Sequence, residues 1–291
     1  SADDVAADLP AGFAYTITWG DDNSATVPAS ANNGAGITVE HVFTSTGAFT
    51  IELTAEDKDH GVSVPVARVI TIKAIELQED ALVVGGTISS DNIHIHAPTW
   101  NPTTSSNVTV RLGGLDLGTY LLAPATRVVA YGQAGRDIIQ FVGGRSSEIH
   151  GGAGNDILTG GIGMDIIFGD AGDDFLQGGS GNDFLIGGAG SDRQLGDSGD
   201  DILLGGSFLD GLLHNGTEAY NYPVLKTILS DWAAGLQDAD LAELLSDDVS
   251  DTEQDRLTGG AGRDWFLGNL TGPGADILTD FWAALDRKTS L

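Results

Sequence analysis

Residues 151–204 read GGAGNDILT, GGIGMDIIF, GDAGDDFLQ, GGSGNDFLI, GGAGSDRQL and GDSGDDILL, six consecutive copies of one nine-residue phrase. Glycine stands at the first and fourth positions of every copy. Aspartate stands at every sixth position, as Asp156, Asp165, Asp174, Asp183, Asp192 and Asp201. Exact tandem repetition of a short phrase is typical of a solenoid, in which one copy cannot bury its apolar side alone and stacked neighbours build a continuous core.

The residue types predict how each copy folds. Glycines allow left-handed turns that a Cβ would forbid, and they leave carbonyl oxygens free. The three residues after each Asp predict a short strand whose middle residue points inward; Gln194 is the one residue that does not fit this pattern among Leu158, Ile167, Leu176, Leu185, Gln194 and Leu203. Two copies complete one coil, so residues eighteen apart stack. We therefore expect Asp156, Asp174 and Asp192 on one edge, and Asp165, Asp183 and Asp201 on the other.

Stacked carboxylates and turn carbonyls predict a calcium site. Calcium takes six to eight hard oxygen ligands in flexible geometry, whereas magnesium fits such a cage poorly. The phrase also recurs around Asp137 and resumes after an interruption, so that Asp255 should stack on Asp192 and Asp264 on Asp201. The predicted metal-binding residues are Asp137, Gly151, Gly154, Asp156, Gly160, Gly163, Asp165, Gly169, Gly172, Asp174, Gly178, Gly181, Asp183, Gly187, Gly190, Asp192, Gly196, Gly199, Asp201, Asp255, Gly259, Gly262, Asp264 and Asp276.

This register resembles the RTX, or haemolysin-type, calcium-binding repeat family. The resemblance implies a parallel β-roll that is secreted unfolded and folds when it meets extracellular calcium. A disordered Gly/Asp linker is the alternative, but the regular inward aliphatic residues argue against it. We expect several calcium ions as the cofactor.

Charge supports the coupling of folding to metal binding. Residues 151–204 contain ten Asp, no Glu and one basic side chain, Arg193. Carboxylates at coil spacing repel each other without a counter-ion, so binding and folding should be one event. The formal charge of −29 argues against nucleic acid or an anionic membrane as partner. The chain has no cysteine and no apolar stretch long enough to span a bilayer. It starts at Ser1, and we expect it to be a processed or partial product.

Residues 11–76 alternate apolar and polar positions as β-strands do. The runs Trp19-Gly20-Asp21-Asp22, His41-Val42-Phe43, Gly47-Ala48-Phe49-Thr50 and Thr54-Ala55-Glu56-Asp57 resemble the PKD family of immunoglobulin-like domains, which implies an extracellular spacer or adhesion module. Strands that normally precede the Trp strand in that family are missing. We expect an open sheet edge that an upstream segment or a neighbouring subunit completes; simple truncation of the domain is the alternative.

Residues 208–254 interrupt the repeat and have a helical pattern. Pro223 suits a first turn, and Leu225, Ile228, Leu229 and Trp232 repeat at helical spacing up to Gly235; a second helix is predicted from Ala239 to Leu245. The roll offers an apolar outer face for these helices, which consists of Ile166, Phe168, Phe184, Ile186, Ile202, Leu204, Trp265 and Leu267. A soluble monomer would not leave such a face bare. Either the insertion covers it, or it contacts another subunit or domain.

The fold class is therefore mainly β: an Ig-like β-sandwich followed by a parallel β-roll with a small helical insertion. The expected segments are the sandwich at 1–77, a ramp of degenerate coils at 78–150, the roll at 151–206, the insertion at 207–254, and the resumed roll with a C-terminal cap at 255–291.

We expect a secreted or cell-surface calcium-binding structural protein that supports adhesion or self-assembly, through the apolar outer face or the open sandwich edge. The sequence contains no constellation typical of a catalytic site, and we expect no enzymatic activity. The alternative is the non-catalytic calcium-binding or secretion module of a larger secreted hydrolase or cytolysin.

Overall fold

The computed structural model describes residues 12–20, 24–29, 47–57, 59–78, 81–97, 105–208, 222–234, 249–250, 254–268, 275–279 and 287–290. The chain divides into two compact units, Ser1–Ala74 and Ile75–Leu291.

The first unit contains a four-stranded antiparallel sheet in the order β2-β1-β3-β4. Its strands are β1 (Ala14–Thr18), β2 (Ser24–Val27), β3 (Gly47–Glu56) and β4 (Val66–Ile72). Ile17, Trp19 and Phe49 are its buried apolar side chains. A sandwich needs a second sheet, which is not among the described residues, and the predicted strand around His41 lies outside them. The Ig-like sandwich therefore stays a prediction.

The second unit holds the repeats. Its strands are β5 (Ile75–Gln78), β6 (Ala81–Gly85), β7 (Asn92–Ala97), β8 (Ser106–Leu112), β9 (Leu115–Leu122), β10 (Arg127–Ala134), β11 (Ile138–Gly143), β12 (Ser147–Ala153), β13 (Ile157–Thr159), β14 (Ile166–Ala171), β15 (Phe175–Ser180), β16 (Phe184–Ala189), β17 (Arg193–Ser198), β18 (Ile202–Leu204), β19 (Ser207–Phe208), β20 (Val249–Ser250), β21 (Arg256–Ala261), β22 (Trp265–Gly268), β23 (Ile277–Thr279) and β24 (Arg287–Ser290). Between β19 and β20 lies a helix, α1 (Tyr222–Ala233).

Alternate strands belong to two different sheets, which is the topology of a parallel β-roll. Sheet I has the order β24-β22-β18-β16-β14-β12-β10-β6-β5, and sheet II the order β23-β21-β17-β15-β13-β11-β7-β8-β9. Pairing is parallel from β6 to β24 and from β7 to β23. We call the turns that lead into sheet II the first edge and those that lead into sheet I the second edge.

The register of both sheets is eighteen residues, as the sequence predicts for two copies per coil. Leu158 pairs with Leu176, and Ile167 pairs with Leu185. These middle residues are completely buried and form the core between the sheets. Gln194 is polar, but it points inward like the aliphatic residues at the same position. It is fully buried, and its side-chain amide donates to the carbonyl oxygen of Leu204 at 2.6 Å.

Several strands are longer than the three residues expected. β14 and β16 run on into the first residues of the next copy, because Asp170 still pairs with Gly188 and Ala171 with Ala189. In β10, β14 and β17, three non-glycine residues at the second position of the phrase adopt left-handed backbone angles, namely Gln133, Asp170 and Asp197. The second position of the phrase therefore tolerates a side chain, because the pairing of the neighbouring coils holds this backbone in place.

The insertion leaves and re-enters the roll as a two-stranded ribbon. β19 pairs antiparallel with β20, which brings Ser207 opposite Ser250. The next coil then continues in register, since Leu203 pairs with Phe266. The first predicted helix is confirmed as α1, whereas the predicted helix at 239–245 lies outside the described residues.

The insertion helix covers the apolar outer face of sheet I. Leu225, Ile228, Leu229 and Trp232 of α1 form one buried cluster with the face, whose members are Ile166, Phe168, Phe184, Ile186, Ile202, Leu204, Trp265 and Leu267. Phe184 and Trp265 are both completely buried within this single chain. The expectation that this face serves as an assembly interface is therefore wrong, because the chain's own helix occupies it. In the described part of the chain, no helix has the length and hydropathy needed to cross a membrane.

Candidate metal centre

Two ladders of aspartate run along the edges of the roll. On the first edge, the main-chain N–H of Asp156 donates to Oδ1 of Asp174 at 2.7 Å, and that of Asp174 donates to Oδ1 of Asp192 at 2.8 Å. On the second edge, Asp165 donates to Asp183 at 2.9 Å and Asp183 to Asp201 at 2.8 Å. The stacking predicted from the nine-residue spacing is observed.

Both ladders continue beyond the six tandem copies. The first ladder consists of Asp91, Asp137, Asp156, Asp174, Asp192, Asp255 and Asp276, and the second ladder of Asp165, Asp183, Asp201 and Asp264. The links across the insertion, from Asp192 to Asp255 and from Asp201 to Asp264, each span 63 residues of sequence. Asp91 is a rung that the sequence analysis did not include, because no recognisable copy of the phrase surrounds it.

In five ladder aspartates the two carboxylate oxygens have different roles. Oδ1 accepts the inter-coil hydrogen bond. Oδ2 is buried and has no hydrogen-bond partner in the protein at Asp137, Asp156, Asp174, Asp183 and Asp201. A buried carboxylate oxygen without a donor or cation is costly. This arrangement fits a site where a cation binds on the Oδ2 side.

The glycine at the first position of the phrase lies where no side chain would fit. A Cβ built on Gly151 would lie 2.5 Å from Oδ2 of Asp156 and 2.7 Å from the carbonyl oxygen of Gly169 in the next coil. The same two kinds of atom converge on Gly160, where a Cβ would lie 2.6 Å from Oδ2 of Asp165 and 2.5 Å from the carbonyl oxygen of Gly178. Any side chain here would fill the space between carboxylate and carbonyl oxygens.

The glycine at the fourth position is needed for a different reason. Gly154 has a φ of +137°, and a Cβ on it would overlap the carbonyl oxygen of Gly135 in the preceding coil. Gly172, Gly181, Gly190, Gly199 and Gly262 have the same combination of a positive φ and an overlapping carbonyl. Gly163, which was predicted with them, has no φ in the left-handed range, but a Cβ would still meet the backbone of Arg145 at 2.7 Å.

The candidate site is built from oxygen atoms only. In the described residues, no group of three or more His, Asp or Glu side chains converges as a metal site. Main-chain carbonyls must therefore supply part of any coordination sphere here, as the convergence at Gly151 and Gly160 indicates. An all-oxygen set that mixes carboxylates and carbonyls is the donor set that calcium prefers.

Burial changes the acidity of the ladder carboxyls. Desolvation, followed by the charges of Asp165 and Asp201, raises the pKa of Asp183 to about 9. Desolvation also raises the pKa of Asp174 and of Asp201 to about 8, and that of Asp137 and of Asp165 to about 6. These values describe the protein groups alone. A cation beside the carboxylates favours their charged form and reverses the shift.

A second set of inter-coil bonds involves position five of the phrase, which the sequence analysis missed. The N–H of Ser191 donates to Oδ1 of Asp173 at 2.9 Å, and that of Asp200 donates to Oδ1 of Asn182 at 2.8 Å. The N–H of Arg263 continues this set by donating to Oδ1 of Asp200 at 2.9 Å. The sequence does contain a pattern that predicts these bonds, because position five is Asn, Asp or Ser in every tandem copy except the second.

Residues 143–150 form a degenerate copy of the phrase that begins the second edge. Ser147, not Glu148, occupies the rung position, where its N–H and hydroxyl donate to Oδ1 of Asp165 at 2.7 and 2.8 Å. Glu148 points outward and forms an ion pair with Arg127 at 2.7 Å. Oδ2 of Asp165 accepts from the N–H of Gly161 at 2.7 Å. Both carboxylate oxygens of Asp165 are therefore satisfied within the protein.

The geometry defines a calcium-binding parallel β-roll: two sheets, eighteen residues per coil, and an aspartate ladder with glycine turns on each edge. Comparison with protein families identifies the repeats. The family model of the RTX calcium-binding nonapeptide repeat (4 copies) matches residues 131–167, 141–176, 159–194, 177–212 and 251–279. The chain thus contains RTX calcium-binding nonapeptide repeats, which bind calcium. Comparisons with curated proteins and with solved structures gave no match.

Proposed function

We propose that this chain is an extracellular, non-enzymatic structural protein whose repeats fold into a rigid roll when they bind calcium. The observation that carries the proposal is the row of buried Oδ2 atoms without a protein partner, at Asp137, Asp156, Asp174, Asp183 and Asp201. Calcium bound at these oxygens would neutralise the ladders and join successive coils.

The energetics of the roll support a coupling between binding and folding. Each nine-residue copy contributes only one inward side chain to the core between the sheets, as Leu158 and Ile167 do. Against this small apolar burial stand ten carboxylates and one Arg in residues 151–204. Without a cation, folding brings like charges together and desolvates them. Binding free energy therefore becomes folding free energy.

The insertion helix gives the folded roll a second core. α1 packs on sheet I, and Trp232 lies against Trp265 with ring centroids 5.3 Å apart. Arg263 holds the C-terminal end of the helix: its guanidinium lies 4.4 Å from the Trp232 ring centroid, donates to the Trp232 carbonyl, and pairs with Asp200 at 3.0 Å. Since the apolar face exists only when the coils are stacked, the helix stabilises the calcium-bound form specifically.

Adhesion or self-assembly is the finer part of the proposal, and the first unit supports it. Val62, Val64, Val66 and Val69, on and just before β4, are 65 to 84% exposed. β4 is the last strand of its sheet among the described residues. An exposed apolar edge strand can pair with a strand of another chain. Sedimentation of the full chain in calcium tests this: Val66→Lys together with Val69→Lys should abolish any concentration-dependent association, and a chain that stays monomeric at all concentrations rules out self-assembly.

Calcium-triggered folding is tested by far-UV circular dichroism and size-exclusion chromatography in EGTA, calcium and magnesium. Calcium should restore β structure and compact the chain, whereas magnesium at the same concentration should not. Asp183→Asn keeps an acceptor at Oδ1 but replaces the buried Oδ2 oxygen by an amide. It should raise the calcium concentration at the folding midpoint by at least about tenfold, the factor that a loss of about 1.4 kcal/mol produces.

Asp116→Asn is the matched control, because Asp116 is exposed and its Oδ1 accepts from the N–H of Gly118, as an Asn oxygen also can. It removes the same charge outside both ladders. A chain that is equally compact in EGTA and calcium, or two variants with the same midpoint, contradicts the proposed function.

A further inference from the structure

A buried arginine lies at the N-terminal end of the second edge. Arg145 stands in the turn between β11 and β12 and is 2% exposed. Its Nη1 donates to three carbonyl oxygens, those of Ala123 at 3.0 Å, Pro124 at 3.2 Å and Thr126 at 2.7 Å. Nη2 donates to Oγ of Ser106 at 2.9 Å. One guanidinium thus binds three carbonyl oxygens of the turn 123–126.

These carbonyls lie on the second edge of the roll. The turn 123–126 leads into β10, where Val128 pairs with Ser147, the first rung of the second edge. The turn 123–126 is therefore the one that precedes the Arg145 turn on the same edge. Between two later turns, carboxylate and carbonyl oxygens converge around a glycine cradle. Between the turn 123–126 and the Arg145 turn, carbonyl oxygens converge on the Arg145 guanidinium instead.

On the first edge, too, protein groups satisfy the carboxylate at this end of the roll. Oδ2 of Asp91, the first rung of the first ladder, accepts from the N–H of Thr87 at 2.5 Å and from its hydroxyl at 2.9 Å. The corresponding Oδ2 of Asp137, one coil later, has no partner in the protein. The change from a satisfied to an unsatisfied carboxylate therefore occurs within a single coil.

Two further features distinguish this end from the later coils. Antiparallel strands terminate both sheets, since β5 pairs with β6 and the hairpin β8–β9 pairs with β7. The acidic excess is also smaller: residues 75–150 contain seven acidic and four basic side chains, against ten and one in residues 151–204. Among the described acidic side chains of these first coils, only Asp137, at the boundary with the later coils, has a buried carboxylate oxygen without a protein partner, so their folding does not bring several unpaired carboxylates together.

We propose that the coils formed by residues 75–150 are a calcium-independent cap, in which the Arg145 guanidinium takes the place that a metal ion takes in later coils, and from which the calcium-dependent coils grow. This inference rests on the proposed function for the calcium dependence of the later coils. It gives the roll a fixed starting end, so that folding need not pay for a new nucleus when calcium arrives.

Hydrogen exchange of the full chain, followed by mass spectrometry in EGTA and in calcium, tests the cap. In EGTA, the amides of β6, β7, β10 and β11 should stay protected, while those of β14 to β18 should exchange at least about tenfold faster than in calcium. If β6 to β11 lose protection together with β14 to β18, the cap is not independent and the inference is overturned. If β14 to β18 are insensitive to EGTA, it is the proposed function that fails.

Arg145→Met tests the cation itself. In EGTA it should remove the protection of β10 and β11, whereas Arg111→Met, which removes an exposed arginine from β8, should leave it unchanged. Arg145→Lys retains the charge but donates to fewer acceptors, and its protection should fall between the wild type and Arg145→Met. Equal protection in Arg145→Met and Arg111→Met, or a Lys variant no better protected than the Met variant, overturns the role of Arg145 as an internal cation.

Discussion

The main-chain N–H of Asp201 donates to Oδ1 of Asp264 at 3.1 Å, although 63 residues of sequence separate the two aspartates. The equivalent link one coil earlier, from Asp183 to Asp201, spans eighteen. The insertion therefore enters and leaves the roll without disturbing the ladder, and its helix packs on the sheet that the ladder supports. Edge chemistry and outer-face packing can thus be tested separately.

Shortening a buried side chain of α1 should destabilise the calcium-bound roll. Leu229 is completely buried against sheet I, so Leu229→Ala should lower the free energy of unfolding by about 2–5 kcal/mol. Urea unfolding in saturating calcium, followed by tryptophan fluorescence, measures this. Lys226→Ala on the exposed side of α1 should change it by less than about 0.5 kcal/mol. Similar losses in both variants would mean that α1 does not cover the face.

Removal of the arginine that holds the helix should have a smaller effect of the same kind. Arg263→Met loses the ion pair with Asp200 and the contact with the Trp232 ring, and it should cost about 1–3 kcal/mol in the same unfolding assay. Arg256→Met, at an exposed position of sheet II, is the control. The interpretation fails if Arg256→Met is the more damaging change.

Glycine substitutions should distinguish turn strain from inter-coil overlap. Gly154→Ala meets both an unfavourable φ and the Gly135 carbonyl, and it should prevent compaction in calcium. Gly113→Ala has a φ of +57° with nothing within 4 Å of the new Cβ, and strain alone should cost it about 1–2 kcal/mol. Calcium titrations followed by circular dichroism compare the two. A Gly154→Ala chain that folds as well as Gly113→Ala would exclude close stacking of the coils.

Acid should partly replace calcium. In the unfolded chain these carboxyls titrate near 3.8, whereas burial raises the pKa of Asp174 and Asp201 to about 8 and that of Asp183 to about 9 in the folded roll. The folded state then binds more protons than the unfolded one, so its stability without calcium is full below the unfolded pKa and falls as the pH rises through about 8 to 9. Calcium-free protein in BAPTA should gain β structure as the pH is lowered from about 9 to about 5.

The same linkage predicts that calcium affinity increases with pH, because the ladder carboxyls must release protons when they bind the ion. Asp183→Asn combined with Asp201→Asn should flatten the pH dependence of the calcium-free chain. A calcium-free roll that loses structure on acidification would contradict the assigned direction of these pKa shifts.

The sequence alone determined the roll, its eighteen-residue register, the aspartates of the first ladder from Asp137 to Asp276 and of the second from Asp165 to Asp264, and the first insertion helix. It could do so because each of these follows from a local repeat: the spacing of Asp, Gly and the inward aliphatic residue fixes which atoms stack. It also raised the question of the apolar face on sheet I, since eight large apolar residues at outward positions need a cover.

Only the tertiary structure decided which residues contact the apolar outer face and the N-terminal end of the roll. It placed α1 on the apolar face and put Ser147 at the first rung of the second edge. It also brought Arg145 to the carbonyls of residues 123–126. None of these contacts follows from the nine-residue period, because they join segments outside the repeat or positions where the repeat has lost a residue. In this protein the periodic part of the sequence specifies the stack, and three-dimensional packing specifies how its ends and its outer face are closed.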